Sequence, residues 1–508
     1  MATPSSVSDP ASPSEDVQLA FGTTRGRWVI AVTVLGSGIA SLDATVVGIA
    51  LPSIGRSFHS GVGTLQWVVT GYALTLAAFL LLGGSLGDRV GRKRIFTIGV
   101  IWFALASALC GLAPNAGTLV AARVLQGVGG ALLAPASLAI LQASFRPEDR
   151  SRAIGAWSGL GGVAAAAGPL VGGYLIAADS WRLVFYINLP LSLLVVVMTA
   201  RHVPETRDST TAGRVDGLGA GLAVLFLASL TYGLIEGPTR GWSSLAIVAS
   251  LILAAVTGPA FLVAEHREHH PMLPLDVFRS RQFTGANAVT FVVYGALGGA
   301  LFLLPVELQL VDHYSPMEAG LSLLPVTVIM LTFSARSGQL AARIGPRLQM
   351  SAGPLVVGAG LVLLSRAADG SNYLTHVFPA VLLFAVGLAI TVAPLTATAM
   401  GAAPAEHAGV ASAVNNVVAR AAGLLAVALL PLVSGITGGA ALVPSHFAAG
   451  FRTAVVIAGI TSVAGGLLAV VTISNPAQAQ RRHVHRLARG YHCAVDGAPL
   501  QPAAIAPE

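Results

Sequence analysis

Residues 83–94 read Gly-Gly-Ser-Leu-Gly-Asp-Arg-Val-Gly-Arg-Lys-Arg, a glycine-rich and basic stretch between two long apolar blocks. A related stretch at residues 338–348 reads Gly-Gln-Leu-Ala-Ala-Arg-Ile-Gly-Pro-Arg-Leu and again directly follows an apolar block. Gly, Leu, Arg and Gly recur at matching offsets in the two copies. Such a repeat in an apolar chain predicts two related halves with a substrate site at their interface.

The apolar blocks have the length of membrane-crossing helices. Hydrophobic residues make up 54% of the 508 residues and charged residues only 10%, against roughly 25% charged residues in soluble domains. A helix needs about 20 apolar residues to cross a bilayer, and lipid leaves no water to satisfy a free backbone. We therefore predict an all-α membrane protein rather than a set of soluble domains. The 14 predicted spans lie at residues 28–50, 65–86, 95–113, 118–141, 153–177, 183–201, 216–235, 244–264, 284–310, 319–342, 348–366, 375–400, 407–435 and 450–473.

Basic residues predict how these spans are oriented. With the N-terminus placed inside, the inner segments hold 21 of the 29 Lys and Arg residues and the outer segments hold five. Positive charge is concentrated on the cytoplasmic side of membrane proteins. The chain is therefore predicted to lie in the cell membrane with both termini cytoplasmic. The net charge of +7 favours membrane lipids as a partner, and no basic stripe on a soluble domain indicates nucleic acid.

The repeat divides the predicted spans into two six-helix bundles and one inserted pair. Spans 1–6 and 9–14 form the related bundles, because the copied loop follows span 2 and span 10. The predicted parts are an N-terminal cytoplasmic tail at 1–27, a first bundle at 28–201, two inserted helices with their flanking loops at 202–283, a second bundle at 284–473 and a disordered cytoplasmic tail at 474–508.

The stretch at 83–94 resembles the loop signature of the major facilitator superfamily. Its glycines allow a tight turn and close helix packing, and its acid and bases can form a charge cluster with the end of a partner helix. The resemblance implies a gating role for Gly84, Gly87, Asp88, Arg89, Gly91 and Arg92. The alternative is a basic inner loop that only fixes the topology.

Span 5 contains the ordered run Gly-Pro-Leu-Val-Gly-Gly at residues 168–173. This run resembles the signature that separates proton-driven antiporters from uptake members of the superfamily. A proline removes a backbone hydrogen bond and can kink the helix. The motif residues are Gly168, Pro169, Gly172 and Gly173. Ordinary packing of small residues is the alternative, but the order of the residues is the main reason to predict export.

Span 1 contains Leu-Asp-Ala-Thr-Val-Val-Gly-Ile-Ala-Leu-Pro at residues 42–52. It resembles the first-helix motif of the 14-helix drug:proton antiporter branch, the EmrB/QacA group of multidrug efflux transporters. That pattern usually has Asn where this chain has Gly48. A carboxylate at this depth is costly and marks a functional site. We therefore predict that Asp43 takes up and releases a proton as it is exposed to either side; a structural ion pair is the alternative.

Two further charged residues complete the predicted proton-coupling set. Arg123 lies in a segment that resembles the superfamily's fourth-helix motif, in which the Arg is linked to proton transfer. A guanidinium there needs a partner, and Asp43 is the natural one; a static bridge between two helices remains an alternative. Glu307, near the outer end of span 9, fits recognition of a cationic substrate, a second proton site or contact with the outer water.

The predicted substrate contacts are polar or aromatic residues of several spans. Residues of span 13 are similar to the same antiporter branch, and its arginine is predicted either to pair with an anionic substrate group or to hold the bundle together. The aromatic content of 6% gives no evident cage for cations. The candidates are Tyr72, Gln126, Tyr294, Gln309, Asn415, Asn416 and Arg420.

No motif indicates an enzyme, a metal centre or a cofactor. The chain has no Gly-x-x-x-x-Gly-Lys-Ser/Thr loop for ATP, and neither Cys110 nor Cys493 is predicted to be a metal ligand or disulfide partner. We therefore predict a monomeric, proton-driven efflux transporter that exports small amphipathic or lipophilic compounds by alternating access. The alternatives are a dedicated exporter of an endogenous metabolite or lipid, a proton-coupled uptake symporter and a non-transporting membrane sensor.

Overall fold

The computed structural model describes residues 19–206, 216–268, 273, 275–366, 372–402, 408–438 and 441–475. Most of the two predicted terminal tails therefore lies outside the described residues. Within the described ranges, 14 helices are long and apolar enough to cross a membrane. They are α1 (Thr24–Phe58), α2 (Val62–Val90), α3 (Arg92–Leu112), α4 (Ala116–Ser144), α5 (Pro147–Ala178), α6 (Leu183–His202), α7 (Gly217–Arg240), α8 (Leu245–Arg267), α9 (Arg281–Leu310), α10 (Pro316–Ile344), α11 (Arg347–Leu364), α12 (Tyr373–Gly401), α13 (Ala408–Val433) and α14 (Pro444–Thr472). Each predicted span corresponds to one of them, so the prediction of 14 spans is confirmed.

Many of the helices are longer than the apolar blocks from which they were predicted. Helix α1 has 35 residues, which at 1.5 Å per residue is roughly 50 Å, well beyond a hydrocarbon core of about 30 Å. The side chain of Thr23 caps its first turn by accepting a hydrogen bond from the Gly26 amide, and His59 ends it in the left-handed conformation. Polar capping residues, which hydropathy ignores, therefore set where the helix begins and ends.

Two of the spans are interrupted, each four residues or fewer before a proline. Helix α6 breaks at Ile187 and α10 breaks at Leu323. Pro190 and Pro325 lack the N–H that would bind the carbonyl four residues earlier, so the regular ladder stops there. The break in α6 lies directly before Asn188, a residue of the site described below.

The two six-helix halves repeat the same packing. Helix α1 packs against α5, and α2 and α3 pack against α4; in the second half α9 packs against α13, and α10 and α11 pack against α12. Each pair shifts by eight helices, in agreement with the repeated loop after α2 and α10. Helices α7 and α8 pack against each other, and α7 also contacts α2 and α13. The prediction of two six-helix bundles plus an inserted pair is confirmed.

The halves are joined near one side of the membrane. Because the number of spans is even, α1 begins and α14 ends on the same side, called here the terminal face; the other side is the opposite face. Near the opposite face one apolar cluster contains buried residues of both halves, among them Ile49, Leu65, Leu303 and Val427. The two largest clusters toward the terminal face each draw their buried residues from one half only.

Hydrogen bonds reinforce the closure of the opposite face. Gln66 Nε2 of α2 donates to the carbonyl of Val427 in α13 at 2.7 Å. Gln309 Nε2 of α9 donates to the carbonyl of Ile49 in α1 at 2.9 Å. Both bonds cross from one half to the other, so this conformation is closed at the opposite face.

Candidate proton and substrate site

The carboxylate of Asp43 lies at the centre of a buried polar network in the first half. Its side chain is 0% exposed. Oδ2 forms an ion pair with Arg123 of α4, and Oδ1 accepts hydrogen bonds from Gln126 Nε2 at 2.9 Å and from Asn188 Nδ2 at 3.0 Å. All three contacts are donated to the carboxylate, so the arrangement fits its ionised form.

The guanidinium of Arg123 is held by more than its ion pair. Its Nη1 also donates to Gln126 Oε1 at 2.7 Å, and its Nε donates to the Val68 carbonyl at 3.0 Å. The ring of Tyr72 lies 4.3 Å from the guanidinium carbon. A buried charge is tolerated when its donors are satisfied and an aromatic face covers it. The predicted pairing of Arg123 with Asp43 is thus present, and it ties α1 to α4.

Two residues of this network were not singled out by sequence reasoning. Asn188 of α6 bridges Asp43 and the hydroxyl of Ser107 in α3, which it reaches at 2.9 Å. Ser107 accepts from Gln126 as well and donates to the Phe185 carbonyl at 2.9 Å. The only signal in the sequence was a polar residue inside an apolar span, and in the case of Asn188 the nearby Pro190. Four helices, α1, α3, α4 and α6, therefore meet at Asp43.

The span 5 motif packs against one helix of each half. Gly168 and Gly172 face Thr45 and Val46 of α1, while Gly173 approaches Pro316 and Met317 of α10. A Cβ on Gly173 would come within 2.7 Å of the Pro316 carbonyl oxygen, so only glycine fits this crossing.

A residue of the span 1 motif forms a hydrogen bond with the backbone carbonyl that the proline of the span 5 motif leaves without a donor. Pro169 has no N–H for the carbonyl of Ala165, four residues before it. The hydroxyl of Thr45 in α1 donates to that carbonyl at 3.1 Å. The two sequence motifs therefore meet in space, and Thr45 of the first provides a donor for the carbonyl that Pro169 of the second leaves without one.

The loop signature lies at the terminal face. Arg92 Nη2 at the start of α3 pairs with Asp88 Oδ1 near the end of α2 at 2.8 Å. Gly91 has φ +122°, a backbone conformation that favours glycine. The amide of Lys93 donates to Glu205 Oε1 at 3.1 Å, so the loop is bound to the segment that follows α6. Glu205 is another contact that sequence reasoning missed.

The geometry of the repeat, the loop and the span 5 motif agrees with comparison to known proteins. The sequence model of the Major Facilitator Superfamily matches residues 33–427.

The chain belongs to the major facilitator superfamily.

Its curated relatives are antibiotic resistance proteins. The multidrug resistance protein Stp of Mycobacterium tuberculosis is 38% identical over 76% of this chain and 71% of its own length. The methylenomycin A resistance protein of Streptomyces coelicolor is 34% identical over 88% of this chain and 93% of its own. The tetracenomycin C resistance and export protein of Streptomyces glaucescens is 35% identical over 80% and 76%.

Solved structures of other superfamily members share the fold. A bacterial homologue of the human lysosomal transporter Spinster, solved inward-facing and unoccupied, has a TM-score of 0.65 at 17% identity and covers 90% of this chain and 100% of that chain. The Escherichia coli xylose transporter XylE, solved inward open, has a TM-score of 0.61 at 15% identity and covers 90% and 99%. At such identities the likeness concerns the fold alone.

In this superfamily member Glu307 is buried, and its side chain is 0% exposed in α9. Neither carboxylate oxygen forms a hydrogen bond with any residue that the structure describes. It therefore does not face outer water in this conformation, which was one of the three sequence-based interpretations. An unpartnered carboxylate in a buried site is costly unless it carries a proton or gains a partner, so the other two interpretations stay open.

Some of the predicted substrate-contact residues already bond or pack with other residues of the protein, and others have polar groups without such contacts among the described residues. Gln126 is taken up by the Asp43 network, Gln309 joins the two halves, and Tyr72 covers Arg123. Asn415 donates to Asn287 Oδ1 at 3.1 Å and to Thr290 Oγ1 at 2.9 Å. These contacts leave the exposed Asn416, the half-buried Tyr294 and Arg420 as the polar candidates with free groups.

Proposed function

We propose that this transporter is a proton-driven exporter of drug-like compounds, with Asp43 as its proton carrier. The observation that carries the proposal is the fully buried Asp43 carboxylate, held by donors of α4 and α6 in a conformation closed at the opposite face. The names of the relatives, which include a resistance and export protein, support export. Small-molecule transport needs no catalytic residue, metal or cofactor, and we place this chain outside the enzymes.

The terminal face is the cytoplasmic face in this proposal. The distribution of basic residues, 21 on that side against five on the other, supports this orientation, because positive charge is concentrated on the cytoplasmic side. The conformation closed at the opposite face then receives substrate from the cytoplasm or the inner leaflet. Both termini are cytoplasmic, the protein acts as a monomer, and the bundle boundaries at 28–201 and 284–473 define the bodies that move against each other.

Proton binding rearranges the contacts of the network around Arg123. When the opposite face opens, a proton from outside binds Asp43 and removes the carboxylate charge. Arg123 then loses its ion pair and keeps the Val68 carbonyl and Gln126 Oε1 as acceptors. When the terminal face opens, the proton leaves and the ion pair forms again. The inward flow of protons thus drives the cycle, because each state is favoured by a different protonation of Asp43.

Three other features have roles in this cycle. The Asp88–Arg92 pair and the turn at Gly91 fasten the loop after α2 to the end of α6 and gate the terminal face. Gly168, Pro169, Gly172 and Gly173 let α5 pack closely on α1 and α10 when the opposite face is closed. Glu307 is a second proton site, since its carboxylate forms no hydrogen bond with the part of the chain that the structure describes.

Purified protein in sealed vesicles tests the proposal. Vesicles with wild-type protein and an acidic interior are expected to accumulate a drug in their lumen. Protons are expected to leave the lumen in exchange. Asp43→Asn is expected to abolish gradient-driven accumulation while it retains exchange of labelled for unlabelled drug, since the substrate contacts lie elsewhere. Glu307→Gln is expected to lower the number of protons moved per drug molecule. Gradient-driven accumulation by the Asp43→Asn variant would rule out Asp43 as the carrier.

A dedicated antibiotic exporter is the second candidate. Two of the relatives described above carry the name of a single compound each, methylenomycin A and tetracenomycin C. Accumulation measured across a panel of unrelated compounds in an efflux-deficient host separates the candidates: a broad response indicates multidrug export, and a response to one compound class indicates dedicated export.

A further inference from the structure

Arg420 occupies a central position between the two halves. It lies near the middle of α13, one helical turn from the exposed Asn416, so both side chains lie on one face of that helix. Helix α13 packs against α2, which carries Tyr72, and against α9, which carries Tyr294. Arg420 therefore lies on a helix that borders both halves.

The packing of α13 against α9 fixes this placement. A Cβ on Gly298 of α9 would come within 2.7 Å of the Gly423 Cα in α13, so the two backbones nearly touch one turn beyond Arg420. Leu424, the next residue, packs with Leu74 of α2 and Leu227 of α7. The face of α13 that carries Arg420 thus points toward the first half. It lies at the interface between the halves, where substrate must pass.

Arg420 has no acidic partner among the described residues. None of the ion pairs in the described ranges includes it, and its buried Nε forms no hydrogen bond. Asp43 is already neutralised by Arg123. Glu307 lies 13 residues beyond Tyr294 on α9, which is about 20 Å along the helix axis. The centre of the molecule therefore carries an uncompensated positive charge.

An uncompensated arginine inside a membrane protein marks a binding function, because the bare charge is costly and a ligand can offset it. We propose that Arg420 binds an acidic group of the substrate, a carboxylate or an ionised phenol, while Tyr294 flanks the organic body. This inference rests on the proposed export function and names its substrate class: amphipathic compounds with one acidic group. A cationic substrate would meet Arg420 with no free carboxylate beside it.

Export of an acidic substrate moves more net charge across the membrane in each cycle than export of an uncharged one. If one proton enters for each substrate molecule that leaves, an uncharged substrate is accompanied by one positive charge moving inward. A monoanion raises that to two charges per cycle, since the outward anion adds to the inward proton. Export of an acidic substrate is therefore expected to depend about twice as steeply on membrane potential as export of its uncharged analogue.

Equilibrium binding to purified protein is the primary test. The probes are pyrenebutyrate, which is anionic, and pyrenebutyramide, its uncharged analogue with the same ring. Wild-type protein is expected to bind the acid more tightly than the amide by about tenfold, the scale of one hydrogen-bonded charge pair. Arg420→Gln is expected to remove that preference and leave amide binding within about twofold, with Arg420→Lys intermediate. Arg336→Gln, which removes another arginine from a span, is the matched control and is expected to keep the preference.

Two binding results would overturn the inference: equal binding of acid and amide by the wild type, or loss of both ligands in Arg420→Gln. The second would mean that Arg420 only holds the helices together. Vesicle transport under valinomycin-set potentials separates this outcome from failure of the proposed function. Arg420-dependent acid binding without proton-driven transport would refute the export proposal alone. Proton-driven export that Arg420→Gln leaves unchanged for both probes would refute the substrate class alone.

Discussion

At the scale of single residues, the molecule places its membrane-embedded charges in two different situations. Asp43 and Arg123 satisfy each other within a network of Gln126, Asn188 and Ser107. Within the described ranges, Glu307 and Arg420 form no ion pair, and the Glu307 carboxylate and the Arg420 Nε form no hydrogen bond. A satisfied pair is suited to alternate between two protonation states, whereas an unsatisfied charge is suited to receive a ligand or a proton. The difference lies in the neighbours and not in the residue types.

A double substitution is expected to separate the structural part of the Asp43–Arg123 pair from its part in transport. Asp43→Asn or Arg123→Met alone leaves one buried charge uncompensated, which is expected to cost roughly 3–5 kcal/mol of folding free energy. The double variant removes both charges and is expected to regain most of that stability. Thermal unfolding of purified protein in detergent measures the three variants.

Proton-driven transport by the double variant shows whether the pair carries the proton or only links two helices. The double variant is expected to remain inactive in proton-driven transport, because no group is left to carry the proton. Recovery of transport together with stability would identify the pair as a static bridge. A double variant as unstable as the sum of the single ones would show that the two side chains do not compensate each other.

At the scale of helices, close contacts between α5 and α10 hold the opposite face shut. Gly320 of α10 lies against the carbonyl of Pro169 in α5, and Gly173 of α5 lies against Pro316 and Met317. Both contacts join one half to the other. Glycine and proline in these helices lower local helix propensity, and the packing that they permit compensates for that loss.

Gly320→Ala is expected to shift the molecule toward a state open at the opposite face. The added methyl group meets a backbone oxygen that cannot rotate away, a cost of roughly 1–3 kcal/mol. A penalty of about 1.4 kcal/mol changes the ratio of the two states tenfold. Pulsed EPR distances between labels at the exposed Asp179 and His313, one in each half, report the change.

The control lies on α5, the helix that Gly320 contacts. A Cβ on Gly161 would meet no atom of a neighbouring helix within 4 Å among the described residues, and Gly161→Ala is therefore expected to leave the distance distribution unchanged. An identical distribution in Gly320→Ala and the wild type would show that the contact between Gly320 and Pro169 does not hold the face shut.

At the scale of the whole molecule, one apolar core joins the halves near the opposite face and separate cores support each half toward the terminal face. Alternating access requires that the halves separate near the opposite face and join near the terminal face.

Helix α7 contacts α2 of the first half and α13 of the second. The inserted pair therefore covers one of the two seams between the halves, while the seam between α5 and α10 has no such cover among the described helices.

One-sided chemical labelling is expected to show that the opposite face is closed and that the terminal face is the cytoplasmic one. In a background with Cys110→Ser and Cys493→Ser, Asn416→Cys is expected to react with a membrane-impermeant maleimide in inside-out vesicles and not in intact cells. Val443→Cys, exposed before α14 at the opposite face, is expected to show the reverse. Labelling of Asn416→Cys from outside the cell in the resting state would contradict both the orientation and the closed opposite face.

The sequence by itself determined the number of spans, their approximate positions, the repeat of the two halves and the two charges that pair, Asp43 and Arg123. Those features depend on hydropathy and on the cost of a buried charge, which act locally along the chain. Only the tertiary structure decided that Asn188 and Ser107 join the pair, that Thr45 satisfies the carbonyl freed by Pro169, and that Gln309 joins the halves. Hydrogen-bond partners depend on how each helix is rotated and how closely it approaches its neighbour, and neither quantity is encoded in the spacing of apolar residues.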